Sequence, residues 1–445
     1  MAGEELFEDL PDQAGPQRAR TAGSPRLRQP ERGQIELRAV DLDSLLAADH
    51  PARIIWAYVA KLDLSALYEP IRVREGTPGH PAIDPRLMLA LWLHGTSEGV
   101  GSARALARLC ESEHAYRWLC GGVSVNYHTL ADFRLAHPEL LDELLARNVA
   151  ALAAAGVIDL DTLAQDGLRV RAAAGPGSFR RRATVEDRLQ QARAAVERLK
   201  GEVEADPGAN ERRIQAAAKR AAREREARAA AALDKLAELE AQREKRKKSH
   251  AKESAKQGQP RVSLTDPEAR IIKMPDGGFR PAYNMQIASA VEQQIIVGID
   301  VTSAGSDAGL IRPMLEQLKQ RGIRPTCYLA DGGFTKKADI EWAEAQAIAL
   351  YCPVPKSKHG TDPYAPRHAD KPAVANWRQR MASEAGKACY RRRAIHECIN
   401  ARLRQWNLRQ ITVRGLAKAE TVLRWFALAN NIFGAHRLLA AAGQA

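Results

Sequence analysis

The run Gln294–Val301 limits the fold more than any other segment. It is β-branched and apolar with almost no polar face, so it suits a strand central in a sheet and not a surface helix. Other strand-like stretches surround it. Ile158, Leu160, Leu163, Leu168 and Val170 form one, Ala282–Ser289 a second, Pro325–Ala330 a third and Ile348–Val354 a fourth. Helical patterns over Ala308–Arg321 and Lys336–Glu344 alternate with the later strands. Alternation of this kind predicts an α/β layer with a partly parallel sheet.

The chain upstream reads differently. Residues 1–33 are polar, with scattered Pro, Gly and Arg, and are expected to form a disordered tail. Residues 34–156 are mostly helical in pattern. Ile54, Ile55, Tyr58, Val59 and Leu62 recur at helical spacing, as do Leu87, Met88, Leu91 and Trp92. Within this region a helix-turn-helix is conceivable, with Ser102–Cys110 as its first helix and Asn126–His137 as its second. The second would present Asn126, His128, Thr129 and Arg134 to a DNA groove. The alternative is a packed helical domain without base contacts, because the intervening stretch carries its own apolar Tyr116, Trp118 and Leu119.

Residues 157–435 form the expected α/β core, followed by a tail over 436–445. An insertion over 180–262 interrupts the core. Val185, Leu189, Ala192, Val196, Leu199 and Val203 step by four and three, which is a heptad seam. Asp206-Pro207-Gly208 breaks that helix, and an Ala-, Arg- and Glu-rich helix follows to about Glu244. Together they predict an antiparallel helical hairpin. It ends in Lys245-Arg246-Lys247-Lys248, which is either a phosphate-gripping arm or a solvated helix end.

Charge narrows the partner. The 445 residues carry a formal net charge of +13, which points to a polyanion, with nucleic acid ahead of an acidic membrane surface. No run approaches the roughly 18 apolar residues a membrane span needs. The start, Met-Ala-Gly-Glu-Glu, has no apolar core, so no signal peptide is expected. Six cysteines without a Cys-x-x-Cys pair read as reduced thiols of a cytoplasmic protein.

The chemistry-bearing residues come next. Tyr390, Arg393, Glu397 and Arg404 lie in a stretch, about Cys389–Trp406, that reads as one helix. On such a helix they fall within about 60° of arc, a stripe in which arginines flank a carboxylate. A surface salt-bridge ladder would share that spacing. Asp166 precedes Gly167, and Asp331 precedes Gly332-Gly333-Phe334. Asp-Gly between apolar runs is also a hairpin signal, a serious reading for Asp166. For Asp331 the helix-like residues that follow place the carboxylate at the carboxyl end of a strand, where α/β folds put ligands. Two divalent ions about 3.5–4 Å apart can drive phosphoryl transfer, and a few carboxylates suffice to hold them.

On these residues the chain resembles the DDE transposases of bacterial insertion sequences, in the branch with a Tyr-x2-Arg-x3-Glu-x6-Lys signature. Here that signature reads Tyr390, Arg393, Glu397 and Arg404, with Arg in place of Lys. Arg keeps the charge but replaces a point ammonium with a planar fork. The likeness spans about residues 35–435. It includes Asp49-His50-Pro51-Ala52-Arg53, Ser102-Ala103-Arg104, Thr129-Leu130 with Phe133-Arg134, Asp166-Gly167, Asp266-Pro267-Glu268-Ala269-Arg270, Tyr283-Asn284 with Gln286, Asp331-Gly332-Gly333-Phe334 and Asn430-Asn431.

The resemblance implies a ribonuclease H-like catalytic core with an inserted helical hairpin, preceded by an all-α N-terminal domain. It implies Asp166, Asp331 and Glu397 as catalytic residues and as ligands of two Mg²⁺ or Mn²⁺ ions, with Asp300 and Asp307 as nearby alternatives. Arg393 and Arg404 would hold phosphates, and Tyr390 would position the strand. Transposon ends and target DNA would be the partners, with a homodimer or higher assembly bringing them together. The rival readings are a nuclease without strand transfer and a DNA-binding protein whose catalysis has lapsed.

Overall fold

A series of capped helices opens the computed structural model. The structure describes residues 41–443 apart from 75, 77, 206–211, 250–257, 357–359 and 361, with Gly33 and Ala39 before them; the side chains of 201–205, 212–215 and 246–249 are not described. The tail expected over 1–33 therefore lies outside the described residues, Gly33 excepted.

Helices α1 (Pro51–Ala60), α2 (Ser65–Tyr68) and α3 (Pro85–Ser97) come first. Both α1 and α3 start on proline, which suits the first helical position, and His50 and Asp84 cap them by accepting the amides of Ala52 and Arg86. Three shorter helices follow: α4 (Ala103–Ser112), α5 (His114–Cys120) and α6 (Tyr127–Ala136). Then comes α7 (Pro138–Ala154). The two-helix expectation for Ser102–His137 is corrected here, because the apolar middle segment is itself a helix, α5, ended by Gly121 and Gly122 at positive φ.

The sheet begins at β1 (Thr162–Arg171), not at Ile158. Asp166-Gly167 lies in the middle of this strand, so the hairpin-turn reading of that pair fails. Local sequence could not decide it, since the strand that pairs with Asp166 lies about 120 residues downstream at Ile287. Short strands β2 (Phe179–Arg180) and β3 (Val262–Ser263) pair antiparallel where the hairpin of α8 (Arg182–Ala205) and α9 (Arg212–Ser249) leaves and rejoins the chain. Arg182 pairs with Glu240 and Arg193 with Glu226, which sets the two helices antiparallel. The seam residues Val185, Leu189 and Val196 are buried as their spacing predicts.

Strands β4 (Arg270–Lys273), β5 (Phe279–Ala290), β6 (Ile295–Thr302), β7 (Cys327–Ala330) and β8 (Ala349–Tyr351) complete the mixed sheet. Its order is β4-β5-β1-β7-β8, and β6 also pairs with β5. The β1-β7 and β7-β8 pairs are parallel, and the others are antiparallel. One face packs on α10 (Ile311–Gln320), α11 (Lys337–Ala345) and α12 (Pro372–Ala382). The other meets α13 (Glu384–Arg391), α14 (Glu397–Gln405) and α15 (Leu416–Ala441).

The apolar run of β6 sits in both of these cores. Among the described residues its one strand partner is β5, however, so it is not central in the pairing order. Its outer edge meets α15, where Asn431 accepts the Ile296 amide at 2.8 Å and donates to the Ile296 carbonyl at 2.7 Å. The middle of α15, from Thr421 to Ala435, is buried on nearly every side, with Arg424 and Phe433 half-buried, while the helix ends are exposed. Trp425, Leu428, Ala429 and Ile432 fill the core of the N-terminal helices, while Val422, Leu423, Phe426 and Ala427 pack on the sheet. The helix runs to Ala441, so residues 436–441 are helical rather than a tail. Among the described residues no helix is long and apolar enough to cross a membrane.

Candidate active site

The parallel pair β1-β7 sets two carboxylates side by side. Its last registered partners are Gln165 and Ala330. Asp166 and Asp331 therefore hold the next step of the same register, where the strands part and parallel neighbours are about 4.8 Å apart. Side chains alternate across a strand, so Asp166 shares the face of Ala164 and Leu168, and Asp331 that of Leu329. Asp331 caps the tight turn Gly332–Phe334 by accepting the Gly333 amide at 2.7 Å.

The third carboxylate reaches this face from above. The stretch expected to be one helix from Cys389 to Trp406 is broken. Helix α13 ends at Arg391, a 3₁₀ segment spans Arg392–His396, and α14 starts at Glu397. The physical reason is tertiary. His396 is fully buried beneath the segment and bonds Ser289 Oγ of β5 at 2.7 Å, which draws this turn onto the sheet. Glu397 is exposed, and its Oε1 accepts from Arg393 Nη2 at 3.0 Å. Arg393 Nη1 lies 3.8 Å from Asp166 Oδ2, so one guanidinium stands between the two carboxylates. It also lies over the Tyr390 ring, 6.0 Å from its centre. Arg404 is exposed, and its side chain has no hydrogen bond or ion pair among the described residues.

Asp166 is gripped on both oxygens. Oδ1 accepts the Gly167 amide at 2.9 Å, and Oδ2 accepts from Asn400 Nδ2 at 2.8 Å. Burial pushes its carboxyl up to about 6. The Gly167 amide and Arg393 oppose that rise, and the charges of Asp331 and Asp307 add to it.

Behind Asp166, on the opposite face, lies a buried polar network. Arg169 grips Asp307 through both terminal nitrogens, at 3.1 and 2.7 Å, and Asn284 and Gln286 donate to the same carboxylate. Burial alone would raise the Asp307 carboxyl, but these bonds hold it below its usual range. Gln286 accepts from Gln165, which in turn accepts from Tyr328. A Cβ on Gly167 would sit 2.7 Å from Asp307 Oδ1, so only glycine lets this carboxylate approach the strand. Asp307 is thus fully engaged. Asp300 accepts the amide of Val301, lies near Glu420, and stands on β6, with β5 between it and β1.

Sequence reasoning singled out neither Asn400 nor the roles of Gln165 and Arg169. A signal existed for the network. Gln165 and Arg169 alternate on β1, and Asn284 and Gln286 on β5, as a polar set on strands otherwise apolar enough to be buried.

Among the described residues no three His, Cys, Asp or Glu side chains are already drawn around one point as metal ligands. The donor chemistry fits a hard cation nevertheless. Asp166 and Asp331 are neighbouring oxygen donors whose mutual repulsion a cation would relieve. Glu397 would join them by exchanging the Arg393 guanidinium for the ion.

The expected groove-facing Arg134 is corrected. It is buried, its Nη1 donates to the Gly101 carbonyl at 2.7 Å, and its guanidinium stacks 4.5 Å from the Trp92 ring centre. Asn126 spends its side-chain oxygen capping α6 at the Thr129 amide. His128 remains exposed. On the hairpin, Lys245 is exposed, while the side chains of Arg246, Lys247 and Lys248 lie outside the described residues.

Residues 240–432 match a family model described as a transposase DDE domain, and residues 40–135 match one described as a transposase domain. Asp331 and Glu397 lie inside the first match, and Asp166 lies between the two. Comparison with curated proteins and with solved structures found no match. Both matching models describe one class, the transposases, whose substrate is DNA. Within that class the chain belongs to the DDE transposases of insertion sequences, a family that generally uses divalent metal ions.

Proposed function

We propose that this chain cleaves a DNA strand at a transposon end and then joins the freed 3′-hydroxyl to target DNA. The observation that carries the reading is the shared register step of Asp166 and Asp331 beneath the helix that begins at Glu397. The α/β region is read as a ribonuclease H-like core, and the chain as a member of the Tyr-Arg-Glu-Lys branch with Arg404 in the last place. Support comes from the central position of the carboxylate-bearing β1, flanked by antiparallel strands on one side and parallel strands on the other.

Asp166, Asp331 and Glu397 would hold two Mg²⁺ or Mn²⁺ ions. Such ions activate an attacking oxygen and stabilise the leaving one. The chain's own side chains do the rest. Arg393, once released from Glu397, carries a planar fork suited to a phosphate. Arg404 presents an uncommitted guanidinium farther along α14, and Tyr390 offers a ring beside Arg393 to position the strand. The surplus of positive charge supplies affinity for the backbone. The helical region of residues 34–156 is proposed as DNA-binding through its surface, with Arg134 excluded, and the Lys245–Lys248 run as a phosphate contact. One site per chain and two ends to cut call for at least two copies on the DNA.

The test uses a plasmid carrying the coding region with its natural flanking DNA. The parent protein with Mg²⁺ or Mn²⁺ is expected to give cleaved and joined products. Asp331→Asn should shift the same DNA in a gel but yield neither product, because metal ligands serve the transition state while basic side chains supply the affinity. Full cleavage by this variant would end the assignment of Asp331. Cleavage by the parent without joined products would favour the nuclease reading, and no cleavage at all the lapsed one.

A further inference from the structure

Asn400 stands one turn after Glu397 on α14 and one turn before Arg404, on the same side of the helix. Ile399 and Leu403 beside it are fully buried and anchor α14 to the sheet. Asn400 is itself 7% exposed, and its Nδ2 donates to Asp166 Oδ2 at 2.8 Å. Its Oδ1 is buried without a partner among the described residues. Reversing the amide would set Oδ1 against the Asp166 carboxylate, so the contact with Asp166 fixes its orientation at the expense of an unmet acceptor. A buried polar atom left unmet asks for a reason beyond packing.

We propose that Asn400 is a positioning residue: it fixes the Asp166 carboxylate and ties the helix that carries Glu397 to the strand that carries Asp166. This rests on the reading of Asp166 as a site residue. The chemistry suits the task. Asp166 already has Asp331 and Asp307 as like-charged neighbours. A carboxylate at position 400 would add a further negative charge, and a lysine or arginine would compete for the place of a cation. A neutral amide orients the carboxylate while adding no charge. With Oδ1 held by the Gly167 amide and one side of Oδ2 by Asn400, the carboxylate cannot rotate. Partners that orient ligands in this way typically account for about 10–100-fold in metal affinity or activity.

The experiment measures Mn²⁺ affinity of the DNA-free full chain by electron paramagnetic resonance, alongside thermal melting and Mn²⁺-dependent nicking of supercoiled plasmid. Asn400→Ala is expected to weaken Mn²⁺ binding and lower the nicking rate at saturating DNA by about 10–100-fold. Its DNA affinity and melting temperature should stay near the parent values. Asn400→Ser keeps a polar group at the buried position but cannot reach Asp166, and it carries the same measurement if the alanine variant melts early. Parent-like Mn²⁺ affinity in a folded variant overturns the proposal. Asp166→Asn is run in parallel. If it too binds Mn²⁺ and nicks like the parent, the site reading itself has failed, whereas a loss confined to Asp166→Asn sinks the role of Asn400 alone.

Discussion

Asn431 satisfies both backbone groups of Ile296, closing the outer edge of β6 from a helix that comes more than a hundred residues later in the chain. Both residues are fully buried. Asn431→Ala would leave an amide and a carbonyl unpaired at that edge, at about 1–3 kcal/mol each. The variant is expected to lose about 2–4 kcal/mol in urea unfolding. A loss below about 0.5 kcal/mol, the usual scale for surface changes, would mean that the edge finds other partners.

Arg393 spans Asp166 and Glu397 as an internal cation. A divalent ion binding both carboxylates has to replace it. At pH 8, where the Asp166 carboxyl is ionised, Arg393→Gln is therefore expected to bind Mn²⁺ several-fold more tightly without DNA, yet to nick plasmid at least about tenfold more slowly for want of its phosphate contact. Unchanged Mn²⁺ affinity would show that the guanidinium and the ion do not compete.

For Arg404 the expectation is a split between two variants. Arg404→Lys keeps the charge and should retain substantial cleavage. Arg404→Ala should lose cleavage or end binding with little change in melting temperature, since an exposed helix position tolerates alanine. Parent-like cleavage by Arg404→Ala would reduce the signature around Glu397 to a surface charge ladder.

His94 is 2% exposed beneath Tyr116 and His50, and burial pushes its pKa down to about 4, with the His50 charge adding to the effect. The folded chain thus declines a proton that the unfolded chain accepts below about pH 6.5. Stability is full above that pH and is lost as pH falls toward 4, by about 2 kcal/mol at pH 5 from this residue. His94→Leu removes the titration. Its unfolding free energy relative to the parent should rise by about that amount between pH 8 and pH 5, measured in urea. An equal difference at both pH values would assign the acid sensitivity to other groups.

Much of the α/β layer was legible because its strands announce themselves locally. The runs later seen as β5, β6 and β7 are apolar, β-branched and bounded by turns. What escaped depends on partners distant in sequence. Asp166-Gly167 reads as a turn until Ile287 and Gln286 are known to lie beside it. The Cys389–Trp406 stretch reads as one helix until Ser289 is seen to hold His396. Arg134 reads as a DNA contact until the Trp92 ring and the Gly101 carbonyl, each more than thirty residues earlier, are seen to turn it inward. Among the proposed site residues, Asp331 is expected from its strand-end position and Glu397 from the Tyr-Arg-Glu signature of the resemblance. Asn400 is not, because an asparagine within a helix carries no local mark of the carboxylate it bonds.

The placement of α15 has a consequence for how the protein is made. Synthesis runs from the N-terminus, so the strands and N-terminal helices leave the ribosome before Trp425, Leu428 and Asn431 exist. Until then the helical layer lacks Trp425, one of its two fully buried tryptophans, and β6 has an open, sticky edge. The nascent chain can collapse but cannot settle. Completion of the fold is thereby deferred until translation has passed the last of the described helices.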